Sequence, residues 1–232
     1  CLPLDKVRSG STGSVDIAGV GTIDVRIVAV TGTGAHAQFL NPSANQVAAL
    51  KSLIAVGHKE SEHYAALCQG VAARISSAIE AAVRQGRISV DDLFDTDYQP
   101  IAGTQPRQYL ARFTTLMDEI LPPIQEPPLT NDSRIVFCVA VDHNGYLPTH
   151  NKKYSQPQRP DDPVWNTANC RNRRIFADRA GLIAARNTKP RVVQTYPRDM
   201  GGGLSVMLKE IDAPITVQGR HWGGLRLAIK LT

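Results

Sequence analysis

Apolar residues recur at steps of three and four between about residues 60 and 85: Tyr64, Leu67, Cys68, Val71, Ile75, Ala78, Ile79, Ala82 and Val83. This spacing predicts an amphipathic helix with one buried stripe, and Gly86 supplies its stop. Cys68 falls on the stripe, so it reads as a buried structural thiol. Upstream, NPSANQVAALKSLIAV predicts a separate helix, with Pro42 near the first turn and Asn41 or Ser43 as its cap. Downstream, Tyr109, Leu110, Phe113, Leu116, Met117, Ile120 and Leu121 predict a helix near 106–121. Pro122-Pro123 ends it, and PPIQEPPLTND reads as a semi-rigid connector.

The period then shortens towards two. RIVFCVAVD at 134–142 is an apolar, β-branched run, HNG at 143–145 is a turn, and YLPTHN is extended, which predicts a hairpin over 134–151. KKYSQPQRPDDP is a polar, proline-rich loop. NTANCRNRRIFADRAGLIAARN predicts one helix to about Arg179, a turn at Gly181 and a short segment beyond it. Strands are predicted over 191–199, over 204–212 after the turn Gly201-Gly202-Gly203, and over 225–232, with PITVQG as a further partner. In the last strand Leu225, Leu227, Ile229 and Leu231 share one face, and Arg226, Ala228 and Lys230 the other. Arg220-His221-Trp222-Gly223-Gly224 reads as the turn before it, with Trp222 packed under the sheet.

The first forty residues are rich in Gly, Ser and Thr and hold one strand-like run, TIDVRIVAV at 22–30. The glycines of GVGTID and TGTGAH are followed by neither Lys-Ser/Thr nor a suitably placed helix, so they are read as turn glycines rather than a phosphate loop. The chain is thereby divided into an unplaced segment 1–40, a helical region 41–130 and a sheet domain 131–232.

Composition narrows the function classes. The 232 residues are 42% hydrophobic and carry a net charge of +5. Through residue 130 there are 10 Lys and Arg against 13 Asp and Glu, and beyond it 16 against 8, so the basic character lies in the last hundred residues. Those arginines are interleaved with Asp178, Asp199, Glu210 and Asp212, and no nucleic-acid-binding motif accompanies them, which argues against a nucleic-acid partner. No apolar run reaches the ~20 residues of a membrane span, and no signal peptide is read at the start, so a soluble segment is expected. Cys1, Cys68, Cys138 and Cys170 lack the spacing of a disulfide framework, zinc site or covalent haem. In SVDDLFDTDYQPI the four aspartates lack the glycine and distal glutamate of a calcium loop, and Ser89 with Asp91 and Asp92 reads as a helix cap.

The segments VAVDHNGYLPTHNKKYSQPQ, VWNTANCRNRRIFADRAGL, QTYPRDMGGG and APITVQGRHWGGLRLAIKL resemble the PAS/Cache-type sensory module of bacterial methyl-accepting chemotaxis proteins. The motif likeness covers 134–232: Asp142-His143-Asn144-Gly145 corresponds to a D-x-x-G hairpin, and the last segment to a closing API-x-V-x-G-x-x-W-G-x-L-R hairpin. The resemblance implies an α+β fold in which long N-terminal helices precede an antiparallel sheet with a covering helix. It further implies a sensor that binds a small polar or anionic molecule, pairs as a homodimer through its helices, and acts on a chemotaxis signalling module elsewhere in the polypeptide or on a partner. Such modules lie on either side of the membrane; the cysteines, which read as reduced, favour the cytoplasm, with the periplasm as the alternative. The sequence departs from the amino-acid-binding pattern of these modules, since Trp165 is followed by Asn166, and no amino-acid ligand is carried over.

A site between the sheet and its covering segment selects candidates over 165–198. Trp165 is placed to stack a flat ligand, and Asn166, Arg173, Arg174 and Arg179 to hold a carboxylate or phosphate. Gln194, Tyr196 and Arg198 alternate and so share a face. The competing reading makes the helix arginines a solvated face paired with Asp178 and Trp165 a core residue. No cofactor is required; haem held by His150 or His221 is the alternative. Cys170 with His150 is the weaker enzymatic reading, because no third group or oxyanion loop accompanies it.

Overall fold

The computed structural model describes residues 7–31 and 34–231; Cys1 and the Gly32 of TGTGAH lie outside them. The protein is a mixed α+β structure in two compact units, 1–60 and 61–232.

In the first unit β1 (Thr12–Ile17), β2 (Gly21–Thr31) and β3 (Gly34–Phe39) form an antiparallel meander. The apolar run 22–30 is its central strand, whose Ile23 and Val25 are buried. The outer strands carry few large apolar residues and are held mainly by ladder hydrogen bonds, which is why periodicity predicted β2 alone. Helix α1 (Ala44–Arg84) begins here. Its cap is Ser43: Gln46 N–H donates to Ser43 Oγ at 3.2 Å, and Ser43 N–H donates to Gln46 Oε1 at 2.9 Å, a reciprocal capping box.

The two expected helices are thus one, 41 residues long. Gly57 does not interrupt it, since an interior glycine costs a helix only about 1 kcal/mol and the polar residues after it are adequate helix formers. Gly86, at φ +69°, ends it as predicted, with Arg87 N–H on the carbonyl of Ala82 at 3.0 Å.

In the second unit the stripe Tyr64, Cys68, Val71, Ile75 and Ile79 is buried in one core cluster with Ile211, Ala213, Ile215, Leu225, Leu227 and Ile229. The latter belong to a four-stranded antiparallel sheet of order β6-β11-β10-β9, built from β6 (Ile135–Asp142), β9 (Val192–Asp199), β10 (Ser205–Val217) and β11 (Arg220–Lys230). Every residue of β6 is buried, because the sheet is covered on both faces.

Before the sheet, α2 (Val90–Leu93) is capped by Ser89 as expected. The helix expected over 106–121 is only α3 (Thr114–Ile120). Residues 99–110 instead make two short strands, β4 (Gln99–Pro100) and β5 (Tyr109–Leu110). Tyr109 N–H donates to the carbonyl of Arg173 at 2.7 Å, so a distant partner takes the backbone group a helix would have used. The connector winds into α4 (Pro122–Gln125) and α5 (Pro127–Asn131), each with proline in its first turn.

Between β6 and β9 the structure departs further from expectation. The segment after Gly145 does not return along β6: β7 (Tyr146–Leu147) pairs with β8 (Arg174–Ile175). The expected long helix over 166–179 is α6 (Pro163–Asn169), stopped at Cys170, and α7 (Arg179–Arg186), with β8 between them. Arg173 sits at φ +61°, incompatible with a continuing helix. Gly181 is inside α7 rather than at a turn, and a Cβ there would lie 2.1 Å from the carbonyl oxygen of Phe176. PITVQG continues β10 instead of forming a separate strand, and the last hairpin turns at Gln218-Gly219, both at positive φ. The His221-Trp222-Gly223-Gly224 stretch therefore lies within β11. Its glycines permit close approach, since added Cβ atoms would meet the carbonyl oxygens of Val141 at 2.0 Å and Ala184 at 2.2 Å. Trp222 is buried, as expected, and donates from Nε1 to the carbonyl of Leu93 at 3.0 Å. Among the described residues no helix is long and apolar enough to cross a membrane.

Candidate functional site

The sheet face opposite α1 is built by the alternate residues of the same strands. β10 presents Leu208, Glu210 and Asp212, β11 presents Arg226 and Ala228, and β6 presents Phe137 and Val139, with Ala228 opposite Phe137 and Arg226 opposite Val139. On β9 the predicted trio Gln194, Tyr196 and Arg198 faces the same way, the residues between them being exposed. The cover is α7 and the segment 146–176: Leu147, Tyr154, Phe176 and Ala185 pack with Phe137, Val139, Leu208, Ala228 and Tyr196.

Charges are buried within this layer. Arg226 donates to Glu210 through Nε at 2.9 Å and Nη2 at 3.1 Å, a bidentate pair in which both residues are at most 5% exposed. Tyr196 Oη donates to Glu210 Oε2 at 2.8 Å, and burial and the Glu210 charge push its phenol up. Gln194 Nε2 donates to Asp212 Oδ2 at 2.7 Å and to the carbonyl of Ala180 at 3.0 Å. Burial, and then the Glu210 charge, raise the Asp212 carboxyl well above the usual range, favouring its neutral acid.

Arg198 is different. It is 2% exposed, and Nε, Nη1 and Nη2 have no hydrogen-bond partner among the described residues. Its guanidinium carbon lies 4.1 Å from the ring centre of Tyr154 and 5.1 Å from that of Phe137. Aromatic contact partly compensates the cation but leaves its in-plane N–H groups unused. Burial lowers its pKa, and the hydroxyls of Tyr154 and Tyr196, which favour the charged form, offset this only in part.

Other basic groups crowd the same place. Arg171, 9% exposed, donates from Nη1 to the carbonyls of Thr167 at 2.9 Å and Asp199 at 3.0 Å, and burial pushes it down to about 9. Arg171 and Arg174 both lie 5.1 Å from the ring centre of Phe176. His150 packs edge-on to Phe137 and Tyr154, and its Nδ1 accepts Asn151 N–H at 2.7 Å, so Nε2 carries the proton of the neutral ring. Burial and the charges of Arg198 and Arg171 depress its pKa strongly.

Of the residues singled out in the sequence, this cluster brings together Arg174, Gln194, Tyr196 and Arg198. The others lie in different environments. Trp165 stacks against Arg159, at 3.7 Å, rather than entering the cluster. Asn166 is a loop clamp: its amide donates to the carbonyls of Gln105 and Arg159, and its oxygen accepts Arg159 N–H at 2.8 Å. Arg173 pairs with Asp118 at 2.8 Å. Arg179 is exposed and lines a surface hollow with Leu182, Ile183, Arg186 and Val192. That hollow does not include Arg198, which is enclosed beneath the cover. His221 Nε2 lies 2.8 Å from the carbonyl of Ala185, and that contact with the Nδ1 contact of His150 occupies one ring nitrogen of each candidate haem ligand. Cys170 is fully buried, its thiol raised by burial, with the carbonyl of Pro157 at 3.5 Å and Asn166 Oδ1 at 3.7 Å from Sγ.

Sequence reasoning passed over Arg171, Arg226, Glu210, Asp212, Tyr154 and Phe137. For Arg226, Glu210 and Asp212 the sequence carried half of the signal: each alternates with core residues of a strand, which places it on the second face but does not tell that this face is covered. Among the described residues no group of three or more His, Cys, Asp or Glu is placed to hold a metal ion. Comparison with protein-family models, with curated proteins and with solved structures finds no match.

Proposed function

We propose that residues 131–232 form a PAS/Cache-like sensor domain of a chemotaxis-type signal transducer, binding a small anionic molecule at Arg198 and passing a conformational change to α1. The observation that carries the reading is the fully buried Arg198 guanidinium with no counterion and no hydrogen-bond partner among the described residues. An acceptor that reaches such a group relieves the cost of its burial, which is what an anionic ligand would supply. The resemblance of the quoted segments supplies the sensor class, and the antiparallel sheet covered by 146–176 and α7 agrees with it. In this proposal the module binds its ligand rather than turning it over, and Cys170, set against the carbonyl of Pro157 and Asn166 Oδ1, has a packing role.

The proposed output runs through β9. Arg191, just before that strand, forms an ion pair with Glu62 of α1, and Gln69 of α1 donates to the carbonyl of Pro190 at 3.0 Å. A ligand that binds one position of β9 more tightly than another would thereby act on α1. Pairing of two copies through their helices, with Leu53, Ile54 and Val56 exposed on α1, and placement in the cytoplasm complete the proposal.

Thermal unfolding against a panel of small carboxylates and phosphates tests it, because a ligand selective for the folded state raises Tm by mass action, by about 2.7 kcal/mol of stability at one hundred times Kd. Arg198→Met is expected to raise Tm without ligand, since it removes an unpaired buried charge, and to abolish the anion-induced rise. A variant that is less stable than the parent and still responds to the same anions would overturn the assignment.

A further inference from the structure

Resting on that reading, we infer that the ligand is a small dianion whose two negative groups bridge Arg198 of the sheet and Arg171 of the cover. The argument is a charge balance. Four arginines, 171, 174, 198 and 226, surround the rings of Phe137, Tyr154, Phe176 and Tyr196. Arg226 is neutralised by the bidentate Glu210. Arg174 is less enclosed, and the Asp199 charge acts in its favour. Asp212 accepts Gln194 through Oδ2 alone, its buried Oδ1 having no hydrogen-bond partner among the described residues, and burial beside Glu210 holds it towards its neutral form. Arg198 and Arg171 remain, both at most 9% exposed and neither in an ion pair with a carboxylate among the described residues. Two buried positive charges without counterions are balanced by two negative charges on one small ligand.

The two cations belong to one layer, close enough for the Arg198 charge to act on Arg171. Arg171 Nη1 sits on the carbonyl of Asp199, the residue that follows Arg198. The Arg171 contacts go to neutral carbonyls through Nη1, a weaker compensation for its charge than a carboxylate or phosphate. The neutral His150, with its proton on Nε2, adds a hydrogen-bond donor rather than a third charge to the neighbourhood. Because Arg171 follows α6 and Arg198 closes β9, one ligand holding both would tie the cover to the sheet. A monoanion would complete one side only.

Titration calorimetry of the 232-residue chain at pH 7 with succinate, inorganic phosphate and acetate tests this. The expected result is a Kd at least about tenfold lower for a dianion than for acetate, the gain of one added charge-assisted contact. Succinate and phosphate distinguish a dicarboxylate site from a phosphate site. Arg171→Met is expected to reduce dianion affinity to the acetate level, Arg171→Lys to retain most of the dianion preference, and Arg198→Met to remove binding of all three. Circular dichroism confirms that each variant is folded; should Arg171→Met unfold, the succinate-to-acetate ratio of the parent and Arg171→Lys decide. Acetate binding within threefold of both dianions, lost in Arg198→Met, would overturn the dianion inference and leave the anion-sensor reading standing. Binding of none of the three probes, or binding unaffected by Arg198→Met, overturns both.

Discussion

The two faces of the C-terminal sheet come from the same strands and have opposite characters. Facing α1, Leu225, Leu227 and Ile229 of β11 and Ile211, Ala213 and Ile215 of β10 form a continuous apolar layer. One residue out of step, Arg226, Glu210 and Asp212 are just as deeply buried. The first face gains stability for every methylene it hides, about 0.8 kcal/mol each. The second sets ion desolvation against a few strong contacts and leaves one guanidinium unmatched. That layer stabilises less than an apolar one and gathers its charges beneath 146–176 and α7, which is why the proposed ligand is placed on this face.

The sharpest way to break this contrast is to unpair the second face. Glu210→Ala leaves Arg226 as another buried cation near Arg198 and frees Tyr196 Oη. A loss of about 3–5 kcal/mol is expected in urea unfolding. Replacing both Glu210 and Arg226 by Met is expected to recover most of that loss, since the pair is then exchanged for apolar contact of similar volume. Failure of the double variant to recover would mean that the network, not the ion pair alone, holds the sheet to its cover.

The apolar face supplies the control. Leu227→Ala, at a position with no measurable exposure, is expected to cost about 2–5 kcal/mol through lost transfer energy and a cavity. The fractional change in Tm on adding an anion should be unaltered, because Leu227 points away from Arg198. An altered anion response with an unchanged m-value would show that the two faces are coupled through the strand.

The apolar face was legible in the sequence, and the charged face only half so. The stripe from Tyr64 to Val83 and the alternation from Leu225 to Ile229 are periodic, and burial followed the period. Arg226 was equally visible as Leu225's out-of-phase neighbour, but alternation alone assigns such a residue to solvent. Its burial depends on α7 and on 146–176 returning across the sheet, which are long-range events. The same dependence explains the misplaced helix over 166–179: its residues have adequate helix propensity, and the break at Arg173 follows from its N–H donating to the carbonyl of Leu147 at 2.6 Å and its carbonyl accepting from Tyr109. Trp165 and Asn166 carried ligand-like chemistry in sequence, yet Arg159 nearby and, for Asn166, the distant Gln105 claim them. Gln194, Tyr196 and Arg198 were correctly grouped because a two-residue period is a property of the strand itself.

The smallest predicted effect tests the electrostatics of the charged face directly. His150 is enclosed by Phe137 and Tyr154, with Arg198, Arg171, Arg226 and Arg174 as its charged neighbours. Its folded-state pKa lies well below 6.5, so the stability it contributes is full above the unfolded-state value and is lost as pH falls towards the folded one. Below pH 6.5 the unfolded chain binds a proton that the folded chain refuses, which costs about 1.4 kcal/mol for each pH unit. Stability measured by urea unfolding between pH 7.5 and 5 should therefore fall more steeply for the parent than for His150→Gln, by up to that slope. A bound anion next to Arg198 offsets the positive field that suppresses protonation, so saturating succinate should shrink the difference between the two curves. Parallel curves without ligand would mean that His150 titrates as freely when folded as when unfolded, and that the cation cluster does not act on it.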